Sequence, residues 1–468
     1  MSATFLGQLI TFAATPLLTR LYSPGEFGIL GVYVGLLGVI SVVAHLRYEM
    51  AIPLPLRRGA ALQVVGLALA CLLAFSALLL VLGLGAGQRI LALAGSAVLA
   101  PYYWLLPVGL LLTGTYQVGT LWAVRSGAYH AIAVTRLQQG AGTAAAQLGL
   151  GLTQCGALGL ILGQLLGQSL GLLRLARLVV RDYRRQGARL SVRGMRWAAT
   201  RYRQFALFDS LASLLDVLSS NAPSILFAAL IDPALAGYYL LSLRLLSAPI
   251  TLVGKTISQV YLPAAIAGRR SGALGGQVLA LQKILAGVSF APFFAFAILT
   301  PRFLEPLFGP AWAGAGDIAA LTALWVSWQF IYSPLSVVLI AVEGQRTNLI
   351  MQLVCCVLRV ASILVGYWFF TPTVAVALFA LANILFYLAA SCIVADRAGA
   401  RWLSSLRQLG VEMAVAVAIV TPIQLALVGP GRWLWPAVAL CVAAWALSML
   451  FGIRRLRNCG AFAAEKNI

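Results

Sequence analysis

The sequence predicts an all-α polytopic membrane protein with about 14 transmembrane helices. They are expected as two pseudo-symmetric six-helix lobes followed by two C-terminal helices. Three observations carry this prediction. Of 468 residues, 61% are hydrophobic and 10% charged, with a mean hydropathy of +0.94. A soluble domain needs about 25% charged residues to cover its surface, so the solvent here is lipid. Continuous apolar runs of about 20 residues recur, the length that crosses a bilayer core as helix. Barrel strands would alternate over about 10 residues instead. Finally, 33 Lys and Arg stand against 12 Asp and Glu, net +21, and the excess falls in alternate loops.

In order, the expected helix cores are 2–19, 27–46, 61–82, 101–123, 130–152, 156–178, 205–230, 235–262, 276–300, 317–342, 347–369, 373–395, 408–428 and 433–452. The first run starts almost at Met1 with no basic region before it, so it does not read as a cleaved signal peptide. The stretch 88–124 is too long for one straight helix and too short for two, and Pro101 and Pro107 predict a kinked start to a single span. With the N-terminus inside, the cytoplasmic loops hold Arg57, Arg58, Arg125, the run Arg174–Arg203, Arg269, Arg270, Arg346, Arg397, Arg401 and Arg407. The opposite loops hold Arg20, Arg89, Arg302 and Arg432, diluted by Glu26, Asp232, Glu305 and Asp317. This is a positive-inside pattern. It places both termini in the cytoplasm and accounts for the basic charge without nucleic acid.

The hydrophilic stretch Arg174–Arg203 reads as a linker against anionic headgroups or as a docking site. It divides the chain into an N-lobe (1–180), a basic cytoplasmic linker (181–204), a C-lobe (205–396) and two extra helices with a basic tail (397–468). A short repeat supports the division. Pro16, Pro24-Gly-Glu-Phe-Gly28 and Tyr33 answer to Pro223, Pro233-Ala-Leu-Ala-Gly237 and Tyr238. Six spans per half make the repeats parallel, with a site expected between lobes near the midplane. Gly159, Gly163, Gly167 and Gly171 fall on one helix face, which allows close backbone packing. Gln164 and Gln168 beside it either line a cavity or bond a neighbouring helix. The seven cysteines lie mostly in apolar runs and form no CxxC pair, so they read as buried small residues.

Catalytic and cofactor signatures are missing. There is no DxD, HExxH or GxSxG, and the histidines are His45 and His130 alone. Pro249-Ile-Thr-Leu-Val-Gly254-Lys255-Thr256 imitates a P-loop, but Pro249 replaces the first glycine and the segment sits in an apolar helix. No catalytic residue, metal or cofactor is expected. Ionisable residues inside spans are functional candidates. Asp209, Ser213, Asp216 and Ser220 make a polar stripe on the seventh span; Arg244, Thr251 and Lys255 share a face of the eighth. Asp209 and Lys255 lie at similar depth, so an ion pair between them is one reading. Arg244 and Arg359 lie near mid-membrane, and Arg forks suit phosphate. Arg244, Arg359 and Lys255 are therefore candidates for binding an anionic ligand. Arg20, Arg47, Asp209, Asp216 and Gln147 are cavity or gating candidates, with pairing to Glu26 and Glu49, or snorkelling, as the bland alternative for Arg20 and Arg47.

The segments PLLTRLYSPGEFG (16–28) and LRYEMAIPLP (46–55) resemble the Wzx-type polysaccharide flippases of the multidrug/oligosaccharidyl-lipid/polysaccharide exporter superfamily. LLPVGLLLTGTYQ (105–117), GPAWAGAG (309–316) and FIYSPLSVVL (330–339) extend the resemblance over about residues 5–395. It implies two six-helix lobes with alternating access, at the bacterial inner membrane. The implied cargo is an undecaprenyl-diphosphate-linked oligosaccharide for O-antigen or exopolysaccharide, held through its diphosphate by cationic residues. Membrane lipids, a polysaccharide polymerase and glycosyltransferases are the implied partners. Arg244 and Arg359 fit that role by type and depth but lie outside the matching motifs. Two rivals stand beside it: a cation-coupled drug exporter of the same superfamily, disfavoured by the lack of mid-membrane acid in the first lobe, and a membrane polymerase, disfavoured by short outer loops.

Overall fold

The computed structural model describes residues 2–93, 97–186, 190–249, 254–428 and 433–458. Every regular element among them is helical. The chain begins with α1 (Ser2–Leu21) and α2 (Pro24–Ala44), a 3-10 turn (Tyr48–Ala51), then α3 (Arg58–Leu93) and a second 3-10 turn (Ala97–Tyr102). There follow α4 (Leu105–Arg125), α5 (Tyr129–Leu152), α6 (Gly156–Ser169), α7 (Leu172–Gln186) and the short α8 (Val192–Arg201). Next, α9 (Ser210–Leu226) is flanked by π-helical turns at Phe205–Asp209 and Phe227–Ile231. It leads to α10 (Pro233–Pro249), α11 (Lys255–Ser271) and α12 (Leu274–Phe308). A 3-10 turn (Pro310–Trp312) precedes α13 (Ala315–Leu335), α14 (Val337–Ala341), α15 (Gln345–Phe369), α16 (Pro372–Arg397), α17 (Trp402–Val428) and α18 (Leu434–Asn458). The element order repeats: α3, 36 residues long, and α12, 35 residues long, each lead through a 3-10 turn into the next helix. Among the described residues, nine helices are long and apolar enough to cross a membrane. The protein is a multi-pass membrane protein.

Each expected core coincides with a helix or a pair of helices. Where one core becomes two helices, the backbone gives local reasons. The run 156–178 breaks at Gly171, whose φ is +84°; a Cβ there would meet the Thr135 side chain at 2.6 Å. The run 235–262 divides into α10 and α11, with 250–253 outside the described residues. The run 317–342 divides at Ser336. The stretch 88–124 resolves into the end of α3, a 3-10 turn containing Pro101, and α4 with Pro107 in its first turn.

The chain forms two compact units. The first comprises Met1–Leu240 with Leu307–Trp312. Within it α5 packs closely on α6. A Cβ on Gly163 would lie 2.8 Å from the Gln147 backbone nitrogen, and one on Gly167 would lie 2.6 Å from the Thr143 backbone. The glycine face is thus a packing surface. Gln168 joins neighbouring helices, its side-chain oxygen accepting from Thr113 Oγ1 at 3.0 Å and its carbonyl from Gln139 Nε2 at 3.0 Å. The basic segment folds as α7 and α8. Ala198 of α8 is buried with Tyr48, Ile52, Val65 and Trp122, and Asp182 accepts from Trp122 Nε1 at 3.1 Å. Arg174, Arg177, Arg181, Arg184, Arg193 and Arg196 stay exposed.

The second unit comprises Leu241–Pro306 and Ala313–Ile468. Buried aromatic residues of α13 and α16 form its centre, with Trp325, Tyr332, Phe379, Phe386 and Tyr387 in mutual ring contact. A buried pair ties α17 to α12: Gln282 Nε2 donates to Ser405 Oγ at 2.8 Å. Cys355, Cys392 and Cys441 are buried as expected, whereas Cys155 is exposed beside the α5–α6 turn; Cys459 lies outside the described residues.

Candidate functional site

Three motif segments far apart in sequence meet at one place in the first unit. The start of α2 is built by a capping box: Ser23 Oγ accepts from the Glu26 backbone, and Glu26 Oε2 accepts from the Ser23 N–H at 2.7 Å. Pro24 fills the first helical position, where no N–H is needed. The carboxylate of Glu26 is thereby spent on the cap, and Arg20 stands exposed at the end of α1. The first turn of α10 lies against this turn with backbone touching backbone. A Cβ on Gly28 would overlap the Pro233 carbonyl, and a Cβ on Gly237 would overlap the Pro24 carbonyl. The two Pro-x-x-x-Gly copies thus occupy each other's glycine notch, as a local two-fold relation requires. Trp312 closes the cluster. Its ring lies edge-on to Phe27 at 5.0 Å and to Tyr238 at 5.9 Å. Its Nε1 donates to the Thr19 carbonyl at 2.9 Å, and Tyr238 Oη donates to the Ala311 carbonyl at 3.1 Å.

The second motif, 46–55, folds as a tight loop in the same unit. Leu46 and Arg47 both have positive φ, +47° and +57°, a conformation that non-glycine residues hold only under tertiary constraint. Arg125 at the end of α4 holds the far arm of this loop. Its guanidinium donates to the carbonyls of Pro53 at 3.0 Å, Leu56 at 3.3 Å and Ile52 at 3.4 Å. Arg47 faces the buried Glu49 at 3.7 Å, the bland partner anticipated for it. The third motif, on α4, receives α2: Tyr33 Oη donates to the Leu105 carbonyl at 3.1 Å.

The second unit holds the cationic candidates. Arg359 on α15 is 6% exposed. Its Nε donates to Asn383 Oδ1 and its Nη2 to Tyr387 Oη, both at 2.8 Å. The guanidinium also lies 5.9 Å from the Trp325 ring and 6.0 Å from the Tyr387 ring, within reach of cation–π attraction. These partners are neutral, and they sit on α13 and α16, where no local pattern in the sequence exposes them. Arg244 is half-buried on α10.

The remaining candidates are dispersed. Lys255 opens α11 and Asp209 ends a π-helical turn, but their side chains, and with them the Asp209–Lys255 pairing, lie outside the described residues, as does Thr251. Asp216 is exposed on α9. Gln147 is buried in the α5–α6 seam: its Nε2 donates to the Leu160 carbonyl at 3.0 Å, and its own carbonyl accepts from Tyr22 Oη at 2.8 Å. Among the described residues, no group of three His, Cys, Asp or Glu side chains is placed to hold a metal ion. Sequence reasoning missed Trp312, Asn383, Tyr387 and the clamp Arg125. Only Trp312, inside a quoted motif, carried a local signal.

Solved structures share this fold. An inward-facing multidrug resistance MATE family transporter of the MOP superfamily matches with a TM-score of 0.67 at 15% identity, covering 84% of this chain and 94% of its own. The lipid II flippase MurJ, in an inward closed conformation, matches with a TM-score of 0.66 at 13% identity, covering 98% of both chains. A mutant of the Vibrio cholerae MATE transporter VcmN matches with a TM-score of 0.53 at 14% identity, covering 87% of this chain and 94% of its own. Among the curated proteins nothing matches significantly. The family model described as polysaccharide biosynthesis protein matches residues 17–317, a span that holds three of the five motif segments whole, all of a fourth but Pro16, and more than half of the chain. The chain therefore belongs to the polysaccharide biosynthesis protein family, and it shares its fold with these solved transporter and flippase structures.

Proposed function

We propose that the protein is a flippase that moves undecaprenyl-diphosphate-linked oligosaccharide repeat units across the bacterial inner membrane by alternating access. The observation that carries this reading is the combination of membership in a polysaccharide biosynthesis family with a fold shared along 98% of both chains with a lipid II flippase. The alternation of arginines between loops supports cytoplasmic termini. The cargo is moved and not altered, so no residue is assigned a bond-making role.

Arg244 is the leading residue for the diphosphate, with Lys255 and Arg359 beside it in the assignment. A guanidinium fork bonds two phosphate oxygens at once. Asn383 and Tyr387 orient the Arg359 fork, which favours a fixed over a searching role for that side chain. Arg20, Arg47, Asp209 and Asp216 remain the gating assignments. Arg244→Ala is expected to abolish surface polysaccharide while folded protein persists in the membrane, and Arg244→Lys is expected to restore part of it. Normal polysaccharide from Arg244→Ala overturns the diphosphate assignment. Drug resistance on overexpression, with normal polysaccharide in a deletion strain, overturns the cargo.

A further inference from the structure

Two cavities of the second unit share one lining residue, Arg397. The first is an apolar groove of about 790 Å³ between α15, α16 and α17. Ile350, Met351, Leu385, Leu388 and Leu406 contribute to its walls, and Asp396 and Arg397 close its polar end. From Leu385 to Ile393 the α16 wall runs about 12 Å at ~1.5 Å per residue. That is close to the ~15 Å depth of one leaflet, half of a ~30 Å core. The second cavity, about 360 Å³, is lined by Arg269, Arg397 and the turns at Gly272 and Gly399. Backbone builds it. Both glycines have positive φ, +73° and +87°, and a Cβ on Gly275 would meet the Ala400 nitrogen at 2.9 Å.

The charges at this junction are only lightly engaged. Arg269 Nη1 donates to the Ala341 carbonyl at 2.7 Å and to Glu343 Oε1 at 2.9 Å. The Glu343 side chain is 76% exposed, and surface pairs of this kind contribute little. Arg397 makes no hydrogen bond or ion pair among the described residues. Two guanidinium groups thus border a small cavity, and one of them, Arg397, also lines a hydrocarbon-sized groove.

We propose that these two cavities bind one anionic membrane phospholipid, its phosphate between Arg269 and Arg397 and an acyl chain in the groove along α16. Asp396 at the polar end of the groove repels the phosphate and sets it on the Arg269 side. The small cavity suits a phosphate bearing a small alcohol and leaves little room for an oligosaccharide, which separates this site from any cargo site. The proposal stands whichever cargo the protein moves.

Purified full-length protein in nanodiscs of phosphatidylcholine with a minor fraction of phosphatidylglycerol provides the test. Retained lipid is counted by native mass spectrometry after detergent release. Phosphatidylglycerol is expected to be retained about tenfold over its bulk share, a difference of ~1.4 kcal/mol. Arg397→Gln and the groove-filling Leu385→Trp are each expected to remove that preference, while Arg397→Lys keeps part of it. Arg193→Gln, on the exposed face of α8, is expected to leave it unchanged. Size-exclusion profiles confirm that each variant is folded, and Arg269→Gln substitutes for any that is not. Equal retention of both lipids overturns the proposal, as does an equal loss with Arg193→Gln, which marks bulk attraction. Displacement of the lipid by glycerol phosphate, with Leu385→Trp without effect, marks a free phosphate site and also overturns it.

Discussion

Replacing Gly28 by alanine adds one methyl where α2 and α10 touch. The new carbon overlaps the Pro233 carbonyl, and the next neighbour, the Gly237 nitrogen, lies 3.3 Å away. Both obstacles are backbone, so no side chain can swing aside. The two first turns must part by about an ångström or more, and overpacking of this kind costs about 1–3 kcal/mol. In an alternating-access protein that cost falls only on the state in which the turns touch. A penalty of about 1–3 kcal/mol confined to one state shifts a two-state balance by about 5- to 150-fold. Ser224, buried beside the Gly31 notch, reports the shift. In a cysteine-free background, Ser224→Cys is expected to resist an impermeant maleimide added from outside, and Gly28→Ala is expected to raise its labelling rate within that range. Gly25→Ala is the control, since nothing lies within 4 Å of its Cβ. Because one methyl already separates the turns, Gly237→Ala added to Gly28→Ala is expected to cost less than it does alone. Unchanged labelling and normal transport in Gly28→Ala would refute the view that this contact belongs to one state of a cycle. Lower thermal stability with unchanged labelling would make it a permanent fixture instead.

Two further predictions follow from the packing of the first unit. Gly163→Ala drives a Cβ toward the Gln147 backbone at 2.8–2.9 Å and is expected to lower the melting temperature by an amount equivalent to about 1–3 kcal/mol; Gly149→Ala, which meets nothing within 4 Å, is expected to be neutral or to stabilise by up to about 1 kcal/mol. Arg125→Gln frees the carbonyls of Ile52, Pro53 and Leu56, a loss of about 1–3 kcal/mol where they are shielded from water. On inverted membrane vesicles, trypsin is expected to cut at Arg57 and Arg58 faster in that variant than in the wild type, and an unchanged rate would refute the clamp.

The helices were legible because lipid imposes a length rule on sequence. Each apolar run became a helix or a pair, and even the awkward 88–124 stretch resolved through its prolines. The break at Ser336 was not legible, since the run on each side is equally apolar; at Gly171 the chain turns basic within a few residues, but that shift does not mark the residue at which the helix stops. The Gly171 break depends on a partner, Thr135, more than thirty residues away. Arg359 shows the same limit in chemistry. Its own helix holds no acid, and its guanidinium meets Asn383, Tyr387 and Trp325 on neighbouring helices. Neutral partners on neighbouring helices leave no charge pattern in the chain. The paired Pro-x-x-x-Gly segments were visible as a repeat, but repetition alone did not reveal that each copy fills the other's notch.

That reciprocity explains what the motif segments constrain. Pro24, Gly28, Pro233, Gly237 and Trp312 come together through backbone contact and ring edges. None offers a group that distinguishes a sugar, a drug or a phosphate. A sequence match carried by these residues therefore reports how two structural repeats meet, and many cargoes are compatible with that. On the proposed function, cargo chemistry lies in residues such as Arg244, outside these contact segments. Exchanging motif residues should then alter the rate or balance of the transport cycle, whereas exchanging Arg244 should alter what is carried. A Gly28→Ala variant with changed cargo preference and unchanged rate would break that division of labour.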